Sequence, residues 1–268
     1  MNRRSRGGTR VYSRYVALGD SQTEGIGDGD EVGGYRGWAD RLAAALAGTN
    51  PELLYANLAV RGKLAGEVRA EQLGSALALE PDLATVVAGL NDLLRPKFDV
   101  PEVVGHLEAM FAALTGAGAT VATVTFPNIG KITPLARPLV PRVLALNAAV
   151  RAAATRHRVR VVEAFSVEVT TDSRIWSADR LHASPVGHAL IAAAMAHVLE
   201  LPGSDDSWTQ PLPVLPRPGL VRATGTELRW IANFFGPWIG RRIRGVSSGT
   251  GRTAKRPDLG PVLLDEVS

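Results

Sequence analysis

Ser21 stands at the end of a short apolar run, Tyr15–Leu18, that stops at Gly19-Asp20. A serine hydroxyl attacks a carbonyl only when a positioned base takes its proton, and histidine is the usual base because its pKa lies near neutrality. Of the five histidines, His182 is the best placed, three residues after Asp179 in the stretch Asp179-Arg180-Leu181-His182. One turn of chain lets that carboxylate hold the Nδ1 proton and leaves Nε2 to face Ser21. Acyl transfer also needs donors for the oxygen that becomes negative. The backbone N–H groups of Ser21 and Gly62 and the side-chain amide of Asn91 offer three, and losing one such donor typically costs ~3 kcal/mol of transition-state stabilisation. Gly62 ends the stretch NLAVRG, where a missing Cβ lets backbone approach a ligand closely.

Taken singly these are weak signals. Ser21 alone reads as a turn serine capping a helix, Gly62 as a turn glycine, and Asn91-Asp92 as a strand end followed by a helix cap. Asp20 reads as an acceptor that fixes the loop. Asp179 and His182 could form a surface pair, while His106, His157, His188 and His197 read as structural. What changes the balance is the place the blocks share.

Five apolar, β-branched stretches bounded by turn residues are expected as strands: Tyr15–Leu18, Leu53–Ala59, Leu83–Ala88, Thr120–Phe126 and Val159–Phe165. Helical periodicity fills the gaps at Trp38–Leu46, Leu64–Leu79, Val103–Leu114 and Val143–Ala154, and again after the fifth strand at Val186–Leu199. Alternating strand and helix argues for a parallel sheet covered on both faces. On such a sheet the segments after the first, second, third and fifth strands converge on one edge. Ligands of open parallel sheets sit beyond that edge.

With those blocks in place the sequence resembles the SGNH hydrolases, or GDSL-type esterases and lipases. The Ser, Gly, Asn and His of the family's four blocks are matched by Ser21, Gly62, Asn91 and His182, and Asp179 matches the acid of the last block. The resemblance covers about residues 12–200 in the right order. It implies an α/β fold, a three-layer αβα sandwich with a five-stranded parallel sheet of the flavodoxin-like kind. It also implies ester hydrolysis through an acyl-enzyme on Ser21, with no metal or organic cofactor and a small-molecule ester as substrate. Gln22 stands where the family name has Leu, which leaves the nucleophile intact but alters the pocket or the strand-to-loop packing. An acyltransferase of the same fold and a non-catalytic module that binds an acylated ligand or a partner are the alternatives.

Composition limits the rest. There is no cysteine, so disulfides and thiolate metal sites are excluded. The loop Gly25–Gly34 suggests calcium but has Val32 where an EF-hand needs a third ligand, and it fails the Walker pattern. No apolar run approaches a membrane span, and the arginines of residues 1–14 are not followed by the apolar stretch of a signal peptide, so a soluble cytoplasmic protein is the default. The net charge of +4 is concentrated at the two ends: residues 15–228 carry 18 basic and 23 acidic side chains, so nucleic acid is not an expected partner.

The expected organisation is a hydrolase domain over residues 12–202, a proline-rich connector over 203–228 and a basic, aromatic tail over 229–268. Within the tail, the run ELRWIANFFGPWIGRRIR over 227–244 sets Trp and Phe beside arginines, and the Gly/Ser/Arg/Lys stretch after it is expected to lack regular structure. Residues 229–256 fit weak peripheral contact with an anionic membrane surface. Packing on the domain or on another subunit is the preferred alternative, because apolar faces usually find protein.

Overall fold

A computed structural model of the chain describes residues 10–213, 249 and 251–262. The first apolar run becomes β1 (Arg14–Gly19), followed by the one-turn helix α1 (Ser21–Glu24) and a small hairpin of β2 (Gly29–Asp30) and β3 (Gly34–Tyr35). Then come α2 (Trp38–Thr49), β4 (Leu54–Asn57), α3 (Ala65–Ala78), β5 (Leu83–Val87), the short α4 (Leu90–Leu93) and α5 (Val100–Gly116). The chain continues through β6 (Thr120–Val124), α6 (Ile129–Ile132), α7 (Val140–Arg156), β7 (Arg160–Val162) and α8 (Pro185–Val198), and returns to the sheet as β8 (Arg256–Pro261).

The sheet order is β7-β6-β5-β1-β4-β8, with the first five strands parallel and β8 antiparallel on the outer edge of β4. Alternation along β1 shows how the layers form: Val16 and Leu18 join one apolar cluster, and Tyr15 and Ala17 join the other. The first cluster is closed by α3, α5 and α7 through residues such as Val68, Phe111 and Val150. The second is closed by α2 and α8, where Trp38, Leu42 and Leu46 form a helical stripe against Ala192 and Met195. The three-layer αβα sandwich expected from the sequence is therefore present.

The chain passes from β1 outward to β4 and then crosses to β5 on the other side of β1. The strand order reverses between β1 and β5, and the crevice beyond their carboxyl ends is where such sheets hold ligands. Ser21 and Asn91 follow those two strands.

Two expectations about the C-terminal part need correction. The stretch after the aromatic run, expected to lack regular structure, supplies a sixth strand. Its sequence, Arg-Pro-Asp-Leu-Gly-Pro, lacks the apolar alternation of a strand, but an edge strand needs only backbone pairing on one side and tolerates proline there. Side chains then fasten it: Arg256 donates Nε–H to Tyr55 O at 2.9 Å and lies over the Tyr55 ring, and Lys255 reaches Asp40 at 2.6 Å. Packing also continues past the edge expected at residue 202, since Trp208 is 8% exposed within the α2/α8 layer. The aromatic-basic run 227–244 and most of residues 229–256 lie outside the described residues.

Candidate active site

Ser21 is the first residue of α1, so its N–H has no acceptor within the helix. The preceding Asp20 caps that helix by accepting from Gln22 N–H at 3.2 Å, and its other oxygen accepts from Asn91 Nδ2 at 3.1 Å. Asp20 is 3% exposed, and burial pushes its pKa up to about 7 against the lowering effect of the Gln22 N–H. One buried aspartate thus ties the loop after β1 to the loop after β5.

The loop after α8's predecessor, β7, brings the last block back over Ser21. His182 Nε2 lies 2.9 Å from Ser21 Oγ, and His182 Nδ1 lies 2.6 Å from Asp179 Oδ2. Asp179 Oδ1 accepts from the Ser177 hydroxyl at 2.6 Å and from the N–H groups of Leu181 at 2.9 Å and His182 at 3.0 Å. Burial raises the Asp179 pKa, but the hydrogen bond and charge of His182, with the backbone and Ser177 donors, outweigh it and hold the carboxyl below the ordinary carboxylate range. An ionised carboxylate can only accept, so Nδ1 carries the proton and Nε2 is left to accept from the Ser21 hydroxyl. A hydroxyl, an imidazole and a carboxylate are thereby in line, an arrangement in which the ring can act as a base toward the hydroxyl.

Gly62 has φ +77°, a left-handed conformation that favours glycine, and with Asn91 and Ser21 it lines the same cavity. The residue before it is anchored: Arg61 N–H donates to Glu24 Oε2 at 2.7 Å, and the Arg61 guanidinium pairs with the same carboxylate. The Asn91 amide donates to Lys63 O at 3.1 Å as well as to Asp20, so an oxyanion would compete with one of these acceptors for an Asn91 N–H.

Two side chains near Ser21 hold the loops of the site through partners the sequence did not reveal, although Gln22 was expected to alter the pocket or the strand-to-loop packing. Gln22 donates Nε2–H to Leu181 O at 2.7 Å and accepts from Ala183 N–H at 3.2 Å, so one side chain grips the backbone on both sides of His182. Glu24 holds the Gly62 loop through Arg61, as described. The signal for both was adjacency to Ser21, but their partners are remote in sequence. His188, taken as structural, accepts from Trp38 N–H at 3.1 Å and donates to Ile26 O at 3.1 Å, and burial pushes its pKa down to about 4. In the Gly25–Gly34 loop, Asp28 pairs with Arg41 at 2.7 Å. Among the described residues no group of three or more acidic or histidine side chains could hold a metal ion.

The cavity has a volume of about 720 Å³, within the range of ~300–1,000 Å³ usual for small-molecule sites. Its walls are mostly apolar, with Leu94, Phe126 and Ile129 from one side of the sheet and Leu190, Ile191 and Trp208 from the other.

A sequence model of the GDSL-like lipase/acylhydrolase family matches residues 17–190, more than half of the chain and all the blocks above. The chain belongs to this family. It is an SGNH-type ester hydrolase, with the α/β sandwich of that group. Among solved structures it is similar to a catalytic mutant of Axe2, an acetylxylan esterase from Geobacillus stearothermophilus, at 17% identity and a TM-score of 0.60, covering 74% of this chain and 96% of that one. It is also similar to LAE5, an alpha/beta hydrolase enzyme from the metagenome of Lake Arreo, Spain, at 21% identity and TM-score 0.58, covering 70% and 95%. The esterase EstA from Pseudoalteromonas sp. matches at 19% identity and TM-score 0.55, covering 70% and 97%. At these identities the likeness is one of fold. No curated protein sequence matches the chain. No helix among the described residues is long and apolar enough to cross a membrane.

Proposed function

We infer that this GDSL-like hydrolase cleaves a small carboxylic ester through an acyl-enzyme on Ser21. The observation that carries the reading is the continuous relay from Ser21 Oγ to His182 Nε2 at 2.9 Å and from His182 Nδ1 to Asp179 at 2.6 Å. Ser21 Oγ attacks the ester carbonyl carbon as His182 Nε2 takes the hydroxyl proton. The new bond places negative charge on the carbonyl oxygen, where the Ser21 and Gly62 N–H groups and one Asn91 N–H stabilise it. Collapse of the tetrahedral species expels the alcohol, which receives the proton from His182. A water molecule, deprotonated by His182, then attacks the acyl-enzyme and releases the acid with Ser21 restored.

Asp179 stays ionised throughout, because its pKa is held below the ordinary range, and its charge stabilises the imidazolium that forms at each step. The mostly apolar cavity suits an ester with a substantial hydrocarbon part, bound by burial of apolar surface at roughly 25 cal/mol per Å². Ser21→Ala is expected to lower kcat for aryl esters by ~10⁴-fold or more. The experiment is a chain-length series of 4-nitrophenyl esters with wild type and this variant. Hydrolysis at the wild-type rate without Ser21 refutes the reading.

A further inference from the structure

We propose that Arg95 is an anion-binding residue of the catalytic cavity, so that the ester turned over at Ser21 carries a carboxylate or phosphate group. The inference rests on the esterase reading and adds the substrate class. Arg95 lines the cavity that holds Ser21 and His182. Its N–H donates to Asp92 O at 2.8 Å, closing a turn just past the end of α4, four residues after Asn91.

The backbone there is held in place. Arg142 of α7 donates to Leu93 O at 3.3 Å, Arg95 O at 2.8 Å and Pro96 O at 3.4 Å. The Nε–H of Arg95 is buried with no hydrogen-bond partner among the described residues. That sets it apart from Arg61, Arg151, Arg156, Arg160 and Arg174, each of which pairs with a carboxylate. Asp92, the acid nearest in sequence, instead accepts from Ala65 N–H at 3.0 Å. Two more cavity-lining residues carry a buried polar atom without a partner among the described residues, Thr133 at Oγ1 and Trp208 at Nε1.

An unsatisfied buried donor costs free energy in the empty protein, and a ligand that supplies the acceptor recovers it. Apolar neighbours such as Leu90 and Leu94 lower the local dielectric and strengthen the attraction for an anion. In this lining the one carboxylate, Asp179, is committed to His182, and the other charged side chain is Arg180; Arg95 also borders a smaller pocket with Glu67, Asp92, Asp99 and Glu102, of which Glu67 and Asp92 already accept from the N–H groups of Leu64 and Ala65. A guanidinium matches carboxylate and phosphate oxygens equally through paired N–H bonds.

The test uses two matched pairs: 4-nitrophenyl hemiglutarate against 4-nitrophenyl pentanoate, and butyrylglycerol phosphate against butyrylglycerol. The first places a carboxylate on the acyl side and the second a phosphate on the alcohol side. The ratio of kcat/KM for the anionic over the neutral member is measured for wild type, Arg95→Met and Arg95→Lys, which cancels any loss common to both substrates. In at least one pair the ratio is expected to fall about tenfold or more in Arg95→Met, the scale of a hydrogen bond to a charged group, with partial recovery in Arg95→Lys. A ratio that changes less than twofold in both pairs overturns the proposal while leaving Ser21-dependent hydrolysis intact. Should wild type turn over none of these esters, the esterase reading fails separately. Calorimetric binding of the anionic members to Ser21→Ala protein, with and without Arg95→Met, then decides: about tenfold weaker binding supports the anion site, and equal or absent binding overturns it.

Discussion

Replacing Gln22 by Leu keeps the volume of the side chain but removes both hydrogen bonds that flank His182, to Leu181 O at 2.7 Å and from Ala183 N–H at 3.2 Å. Each such bond contributes about 0.5–1.5 kcal/mol net, so about 1–3 kcal/mol is at stake. If all of it acts on placement of the imidazole in the transition state, kcat falls by about 5- to 150-fold at 1.36 kcal/mol per decade. Whatever acts on folding instead lowers Tm, and the two readouts together account for the loss. Gln22 also lines the cavity, so a change in substrate fit must be separated from a change in His182 position. Fit alters KM in a way that depends on acyl chain length. Loss of His182 placement lowers kcat by a similar factor along the whole series, and lowers the rate of Ser21 phosphonylation by a fluorophosphonate in parallel. Gln22→Asn, one methylene too short to span both partners, should behave like Gln22→Leu. A Gln22→Leu enzyme with kcat within twofold of wild type and an unchanged phosphonylation rate refutes the clamp.

Further outcomes follow from the same geometry. Asn91→Ala should lower kcat by about 10²–10³-fold with little change in KM, as removal of an oxyanion donor does, and steady-state kinetics on a short aryl ester reads this directly. A Cβ on Gly249 would lie 2.1 Å from Arg61 O, so Gly249→Val should push on the Arg61-Gly62 segment from the C-terminal side and lower kcat along with Tm. Wild-type values of both would show that this contact does not hold the loop. His188 is 0% exposed and its pKa is pushed down to about 4 by burial, whereas the unfolded chain takes up its proton near pH 6.5. Its contribution is therefore complete above pH ~6.5 and is lost as pH falls toward 4. A His188→Gln variant should show a flatter decline of Tm over that window, checked by calorimetry at constant ionic strength.

The sheet and its helices were legible because strands buried on both faces are written as continuous apolar runs, and the intervening helices carry apolar stripes. The boundaries shifted by a few residues; the expected Val159–Phe165, for example, contracts to Arg160–Val162 because only those residues pair with β6. The edge strand β8 was not legible, since Pro257, Gly260 and Pro261 argue against a strand and only pairing with β4 creates one. At the site, residue types announced the Ser21, Asp179 and His182 blocks, and strand order explains why they meet. The clamp by Gln22 and the anchoring of Arg61 by Glu24 depend on where distant loops land, which no local pattern records. Likewise Trp208 follows a polar Ser/Asp stretch, and its burial depends on the gap left between α2 and α8.

Activation of Ser21 by His182 is the step on which the proposed hydrolysis turns. Intact-mass spectrometry of the protein after timed exposure to a fluorophosphonate measures that activation without assuming a natural substrate. One adduct on Ser21 is expected in wild type, none at that residue in Ser21→Ala, and a rate lower by about 10³-fold or more in His182→Ala. Labelling of Ser21 at the wild-type rate in His182→Ala would contradict it.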